Sequence, residues 1–297
     1  MRPHKTCALM VEVRGREIRT SQVDSRLLKG KGSDPNGVFI KVGTKVYLAC
    51  DTPTIESDQE KFNVSYRDLP RLVKPNDIIY VDDGKIVLLV TECDRDGVSC
   101  EVKGEGVLGH RKNLKLPAGK HEHQPIMTPE EVEEISGLLK RHKIDYISIP
   151  YAVRKRDITT VRELIGHNDT QLLAKIDTVE SIHNFEELIK AADGIIINRV
   201  ELGLEMHAEK LMLAQKWMID RACQEGKPCF VASQVLESMV REPVAHRQDA
   251  EDVTSAVLEG VDAFVLSHET AIGQYPVDAV VQLAKCIAEG ENILDYE

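Results

Sequence analysis

Four charged side chains follow two short apolar segments of the sequence, and their types suit metal-assisted chemistry. Lys175 and Asp177 close the first segment, and Arg199 and Glu201 close the second. Two carboxylates at neighbouring strand ends can hold a divalent metal, while a lysine beside them can donate a proton or stabilise an oxyanion. We therefore take these residues as the rim of a candidate active site.

The chain after residue 124 alternates between short apolar runs and longer amphipathic runs, which indicates alternating strands and helices. Thr128 is a candidate N-cap for the first of these helices, with acidic residues in the following turn. Apolar strands buried on both faces, alternating with helices, predict a parallel sheet with right-handed crossovers. The strand-like runs are IDYISIP, QLLAKI, GIIINR, PCFVAS and DAFVLS.

A different pattern covers residues 25–120, where short runs rich in Val, Ile and Tyr are separated by turn signals. Asp82, Asp83 and Gly84 lie between two such runs, and a glycine in that place favours a hairpin. The segment predicts a small all-β domain. We assign the first barrel strand and its lead-in to residues 1–22, the inserted β domain to 23–121, and the remaining (β/α) barrel units to 122–297.

The α/β fold that fits these patterns best is a partial TIM-type (β/α) barrel interrupted by the inserted all-β domain, with an apolar strand in TCALMVEV ahead of it. An open doubly wound sheet is the alternative. No glycine-rich dinucleotide fingerprint follows a strand, which argues against a Rossmann site. Because a TIM barrel carries its site at the carboxyl ends of its strands, Ser233, Gln234, Ser267 and Glu269 join the candidate rim.

The composition narrows the function classes. At 297 residues and 42% apolar composition, the chain can bury a large core. A formal charge of −11 argues against nucleic-acid binding, which needs a positive field. No apolar run approaches the roughly 20 residues that span a bilayer, and no signal-peptide pattern opens the sequence. Seven scattered cysteines without a CxxC pair indicate a reducing compartment, so we predict a cytoplasmic protein without nucleic-acid or membrane partners.

From EVRGREIRT at 12–20 onward, the sequence resembles the pyruvate kinase family. The order and spacing of its motifs follow the family pattern over nearly the whole chain. The resemblance implies transfer of phosphate from phosphoenolpyruvate to ADP with a divalent metal, Mg²⁺ or Mn²⁺, and usually potassium. The motifs that carry it are IYVDDG (79–84), AKIDT (174–178), DGIIINRVELG (193–203), ASQVLESM (232–239) and LSHETAIGQYP (266–276).

The same resemblance implies catalytic and metal-binding roles. Lys175 stands where the family lysine stabilises the enolate and the transferred phosphoryl group, and Arg19 stands where an arginine contacts phosphates. Ser233 replaces a threonine near the proton-transfer path and keeps the hydroxyl. Asp177 and Glu201 occupy the positions of the two metal carboxylates.

The substrate-binding positions depart from the family pattern. Arg199, Val200 and Glu201 match the segment whose backbone receives the substrate carboxylate, but Val200 replaces a glycine there. A β-branched side chain should crowd that seat, and valine tolerates glycine-like φ values poorly. The two metal carboxylates are exchanged in length, Asp177 for Glu and Glu201 for Asp. A misplacement of roughly 1 Å can lower phosphoryl transfer on the order of 100-fold.

Two further departures concern potassium and the extent of the barrel. Glu12 and Val13 replace two contributors to the family's potassium site, so we predict that potassium is not used. The family's first two barrel strands and its C-terminal domain have no counterpart here, which would leave open sheet edges that invite pairing. Either a partner segment, a protein partner or a homo-oligomer covers these edges, or the sequence is a fragment, or the fold has adapted.

These observations favour a divergent pyruvate-kinase-like protein whose catalysis is impaired or absent and whose role is structural or in assembly. In that interpretation Lys175 and Asp177 are inherited polar residues that fill the top of the barrel. The alternative is an active pyruvate kinase, which would bind phosphoenolpyruvate or pyruvate and ADP or ATP. A third hypothesis, another metal-dependent enzyme on a related barrel, is disfavoured by the β insertion directly after EIRT.

Overall fold

The computed structural model describes residues 7–29, 37–50, 56–116, 124–166 and 169–294. These residues form two compact units. The α/β unit contains the described residues up to Gly15 and those from Pro125 onward, and the β unit contains those from Arg16 to Gln124.

The elements within the described residues are mostly short strands and helices of moderate length. In chain order the strands are β1 (Met10–Glu12), β2 (Ile18–Arg19), β3 (Val38–Ile40), β4 (Lys45–Ala49), β5 (Lys61–Asn63), β6 (Ile78–Val81), β7 (Ile86–Cys93), β8 (Gly97–Gly104), β9 (Gly106–Leu108), β10 (Asn113–Lys115), β11 (Tyr146–Ile149), β12 (Gln171–Ile176), β13 (Gly194–Asn198), β14 (Cys229–Ala232) and β15 (Ala263–Val265). The helices are α1 (Leu69–Leu72), α2 (Pro129–Arg141), α3 (Lys155–Ile165), α4 (Val179–His183), α5 (Phe185–Ala191), α6 (Arg199–Gly203), α7 (Ala208–Gln224), α8 (Arg247–Leu258), α9 (His268–Ala271) and α10 (Pro276–Leu294). Short 3₁₀ helices also cover Leu27–Lys29 and Glu237–Val240.

A six-stranded parallel sheet organises the α/β unit, in the order β1-β11-β12-β13-β14-β15. The order follows the chain without reversing, whereas a doubly wound sheet reverses at a switch point. The predicted partial (β/α) barrel is therefore confirmed, with the β unit inserted between β1 and β11. Its core is aliphatic and includes Ile147, Leu172, Ile195 and Val231, all buried.

Local signals explain where the helices of this unit begin. At α2, the Thr128 side chain accepts a hydrogen bond from the Glu131 N–H at 3.3 Å, and Pro129 fills the first helical position. The N-cap predicted from the sequence is thus confirmed, and it satisfies an N–H that a helix start would otherwise leave without a partner. Among the described residues, no helix is long and apolar enough to cross a membrane.

The β unit contains a seven-stranded sheet in the order β2-β10-β6-β7-β8-β4-β5 and a separate pair, β3 with β9. The turn between β6 and β7 has positive φ at Asp82 (52°), Asp83 (57°) and Gly84 (83°). Two antiparallel strands joined through such a turn confirm the predicted hairpin.

The buried cysteines behave as small apolar side chains. Burial raises the pKa of the Cys100 thiol to about 12, and burial likewise raises the pKa of the Cys229 thiol. Thiols held in the neutral form are poor nucleophiles and poor metal ligands, so these two contribute packing to the strands that carry them.

Candidate active site

The carboxyl ends of the parallel strands carry the polar residues of the α/β unit. Since neighbouring parallel strands end at the same edge of the sheet, side chains there come within reach of one another. The sequence-predicted residues Lys175, Asp177, Glu201, Arg199 and Ser233 all lie at or just beyond the ends of β12, β13 and β14. Hydrogen bonds connect them to residues that sequence reasoning did not select.

Lys175 is held by a carboxylate from the first strand of the sheet. Its Nζ lies 2.9 Å from Glu12 Oε1 and 2.9 Å from Glu12 Oε2. The Lys175 side chain is 14% exposed and that of Glu12 is 44% exposed. Ser148 Oγ donates to Glu12 Oε2 at 3.1 Å and helps to orient that carboxylate. The positive charge of the family lysine therefore has an internal counter-ion.

Asp177 accepts hydrogen bonds on both carboxylate oxygens. The backbone N–H of Tyr151 donates to Oδ2 at 2.7 Å, and Asn198 Nδ2 donates to Oδ1 at 2.6 Å. The residue is only 1% exposed, and a carboxylate this deeply buried needs such donors to offset its lost hydration. Asp177 is thereby fixed between the loop after β11 and the end of β13.

Glu201 is bound by the same tyrosine that binds Asp177. The Tyr151 hydroxyl donates to Glu201 Oε2 at 2.9 Å, and both residues are buried. Glu201 lies in α6, one residue beyond Val200. Tyr151 thus joins the two carboxylates that stand at the metal positions of the family pattern.

Val200 does not have the backbone geometry that the sequence comparison suggested. It lies within α6, is partly buried, and is not among the residues with positive φ. Val200 therefore does not have to adopt a glycine-like φ, because a right-handed helical turn accommodates valine. The difference from the family pattern is therefore the valine side chain itself, which lies next to Glu201 where the family has a glycine.

Arg199 supports the loop that follows β14. Its Nε donates to the Ser233 carbonyl at 2.9 Å, its NH1 lies 2.5 Å from Asp252 Oδ2, and its NH2 donates to the Gln234 carbonyl. Ser233 and Gln234 have φ values of 69° and 52°, so the guanidinium fixes an uncommon backbone conformation. Its Nε, NH1 and NH2 atoms all donate within the protein.

Ser233 belongs to the same network through its side chain. Its Oγ donates to Asn198 Oδ1 at 3.0 Å, while the amide of Asn198 donates to Asp177. The hydroxyl at the family's proton-transfer position is therefore linked to Asp177 through one intervening amide.

The short helix α9, just beyond β15, carries the buried carboxylate of Glu269. Its Oε1 accepts from the Leu236 N–H at 3.0 Å and its Oε2 accepts from the Ser267 N–H at 2.8 Å. The residue is fully buried. His268 next to it is partly exposed, with Nδ1 3.4 Å from Glu237 Oε1. These contacts join the loops after β14 and β15.

Arg19 lies in the β unit. It ends β2, its Nε donates to Glu17 Oε2 at 2.7 Å, and its NH1 donates to the Arg111 carbonyl at 3.0 Å. The side chain remains 48% exposed. The hydrogen bonds of Arg19 are thus made within its own unit.

The carboxylates do not form a ready cradle for a divalent cation. Within the part of the chain that the structure describes, no three His, Cys, Asp or Glu side chains cluster so that they could hold a metal. Asp177 and Glu201 instead accept hydrogen bonds from Tyr151 and Asn198. A cation at these carboxylates would have to share or displace the hydrogen bonds from Tyr151 and Asn198, so the side chains as arranged are not poised for the metal that the family pattern implies.

Comparison with known proteins agrees with this fold. The family model described as "Pyruvate kinase, barrel domain" matches residues 1–280. The chain is 37% identical to a cytosolic pyruvate kinase of Glycine max, covering 98% of this chain and 55% of that protein. It is 33% identical to a pyruvate kinase of Eimeria tenella, covering 100% of this chain and 54% of that protein.

A solved structure of a pyruvate kinase also has a similar fold. The crystal structure of a pyruvate kinase from Cryptosporidium parvum matches with a TM-score of 0.81 and 30% identity, covering 99% of this chain and 59% of that chain. The chain therefore has the fold class of these proteins, a (β/α) barrel, here partial, with an inserted β unit and polar residues at the strand ends. The chain belongs to the pyruvate kinase family. It spans about half the length of the curated relatives that it matches.

Proposed function

We propose that this chain is a catalytically impaired member of the pyruvate kinase family with a structural or assembly role. The observation that supports the proposal is that protein groups already bind the charged residues of the site. Glu12 binds Lys175, and Tyr151 binds both Asp177 and Glu201. These contacts use the side chains that the family pattern assigns to phosphoryl transfer.

The physical reason lies in what phosphoryl transfer requires. Catalysis of this reaction depends on positioning and on charges directed at the transferred phosphoryl group. A lysine already paired with a carboxylate offers less positive potential to a phosphate, because Glu12 would repel the same phosphate. Buried carboxylates that accept hydrogen bonds from a tyrosine must share or exchange those bonds when they hold a cation.

An active pyruvate kinase is the second candidate function. The observation that favours it is the exposure of Glu12, whose side chain is 44% exposed while that of Lys175 is 14% exposed. Solvent-accessible ion pairs stabilise by only about 0–1 kcal/mol, so a polyanionic substrate could displace Glu12. In this case the ligands would be phosphoenolpyruvate or pyruvate with ADP or ATP, and the metal would be Mg²⁺ or Mn²⁺.

The proposed assembly role rests on the edges of the parallel sheet. Among the described strands, β1 and β15 form the two edges, and Met10 on β1 is 38% exposed. Unpaired strand edges present backbone donors and acceptors that another chain can use. A cytoplasmic protein partner, a second copy of the chain or a further segment of a longer protein would suit these edges.

Substrate binding separates the two candidate functions. With phosphoenolpyruvate and Mn²⁺ at millimolar concentration, we expect the same melting temperature shift for the wild type and for Lys175→Met. The reason is that Lys175 in the wild type is engaged by Glu12 and adds little to anion binding. Differential scanning fluorimetry makes the comparison. A wild-type increase of several degrees that Lys175→Met abolishes would support the active enzyme instead.

A further inference from the structure

We infer that Tyr151 is an internal substitute for a divalent cation, which holds Asp177 and Glu201 together through two neutral hydrogen-bond donors. The inference rests on the proposed function and deepens it by naming the residue that keeps a cation from the site. It concerns a residue to which the family resemblance assigns no catalytic or metal-binding role.

The geometry of Tyr151 is unusual in two respects. The residue has a φ of 52°, a left-handed conformation that residues other than glycine, asparagine and aspartate rarely adopt. It is also 3% exposed, so its phenol ring is enclosed by the protein. Such a conformation persists when the surroundings determine it strongly, which is common at functional sites.

Gly15 shows why the turn at Tyr151 is tightly determined. Gly15 has a φ of 60°, and a Cβ on it would approach the Pro150 carbonyl oxygen to 2.9 Å. The glycine therefore allows the backbone at Pro150 to pack closely against the chain that follows β1. That packing fixes the backbone directly before Tyr151.

The two donors of Tyr151 point to two different carboxylates. Its N–H lies 2.7 Å from Asp177 Oδ2, and its hydroxyl lies 2.9 Å from Glu201 Oε2. A buried carboxylate is costly unless hydrogen-bond donors or a nearby positive charge offset its lost hydration. A divalent cation offers a carboxylate two positive charges, whereas the N–H and O–H groups of the tyrosine offer only their bond dipoles. Loss of the hydroxyl should therefore favour a cation at Glu201.

Removal of the hydroxyl tests the inference through metal binding. We expect Tyr151→Phe to bind Mn²⁺ about tenfold more tightly than the wild type, which corresponds to one hydrogen bond that the metal no longer has to displace. The loss of the free Mn²⁺ signal in electron paramagnetic resonance titrations measures the affinity. Mn²⁺ should also raise the melting temperature of Tyr151→Phe more than that of the wild type.

Two control variants make the result specific. Tyr47→Phe removes a hydroxyl that lies 2.9 and 3.0 Å from the two oxygens of the Asp94 carboxylate in the β unit, and its Mn²⁺ affinity should equal that of the wild type. The double variant Tyr151→Phe with Glu201→Gln should lose the increase in Mn²⁺ affinity that Tyr151→Phe alone produces. If Tyr151→Phe does not fold, Tyr151→Gly removes the phenol while suiting the left-handed backbone, and the same gain is expected.

Equal Mn²⁺ affinity in the wild type and the folded Tyr151 variant would overturn the inference, as would a gain that survives Glu201→Gln. Failure of this inference is distinguishable from failure of the proposed function. Impaired catalysis is measured by pyruvate formation in the unmodified protein, whereas the role of Tyr151 is measured by Mn²⁺ binding without substrate.

Discussion

Replacement of Arg199 by alanine is expected to lower the free energy of unfolding by about 3–5 kcal/mol, the range for removing one member of a buried ion pair. The Arg199 side chain is 5% exposed, and its guanidinium lies 2.5 Å from Asp252 Oδ2. It also donates to the carbonyls of Ser233 and Gln234. Alanine would leave a carboxylate and two carbonyls without these donors. Urea denaturation followed by circular dichroism measures the change.

Two comparisons test the cause of this loss. Arg199→Lys keeps the charge but cannot reproduce the planar fork, so it should fall between the wild type and the alanine variant. Arg247→Ala, which removes an exposed ion-pair partner of Glu251, should leave the denaturation midpoint nearly unchanged. A loss below about 1 kcal/mol for Arg199→Ala would contradict the structural function that we assign to this arginine.

Replacement of Glu269 by alanine is expected to cost about 2–4 kcal/mol of stability, because two backbone donors would lose their acceptor. The carboxylate accepts from the N–H of Leu236 at 3.0 Å and from the N–H of Ser267 at 2.8 Å, and the side chain is fully buried. The loops after β14 and β15 would lose the group that joins them. Chemical denaturation again provides the measurement.

Two matched variants test this prediction. One removes the charge of Glu269, and the other removes an exposed carboxylate elsewhere. Glu269→Gln keeps an acceptor oxygen and should lose less stability than Glu269→Ala. Glu251→Ala removes a carboxylate on α8 that is 64% exposed, and it should have little effect. If Glu269→Ala and Glu251→Ala have equal effects, Glu269 does not join the two loops as described.

The sequence predicts the scaffold of this molecule well because its signals are local. Thr128 and Pro129 mark the start of α2 through their own backbone chemistry, and Asp82 to Gly84 mark a hairpin through allowed φ values. Alternation of buried strands with helices predicts the parallel sheet, because each strand must be covered on both faces. These features need no knowledge of which distant residues meet.

The contacts of the site are harder to predict because they join distant parts of the chain. Glu12 lies 163 positions from Lys175, and nothing local in either segment predicts their ion pair. Glu12 could be recognised only as a departure from the family's potassium site. The structure shows that β11 lies between the strands of these two residues, so that their side chains meet at the same edge.

Tyr151 and Asn198 could have been found with the rule that selected the other site residues. Tyr151 lies just beyond the end of β11, and Asn198 is the last residue of β13. Neither is a charged side chain, and the family resemblance assigns neither a catalytic role, although Asn198 lies within the motif at 193–203. Their role depends on a left-handed φ at Tyr151 and on the direction of one amide group, which the sequence does not specify.

The most direct test of the impaired site is pyruvate formation from phosphoenolpyruvate and ADP. It should be measured with Mg²⁺ or Mn²⁺, with and without potassium, for the folded protein beside Lys175→Met. The structure predicts equal rates for the two proteins, because Glu12 engages Lys175 and because Tyr151 and Asn198 bind the carboxylates. Turnover by the wild type that Lys175→Met abolishes would contradict impaired catalysis and show that substrate and metal displace these internal partners.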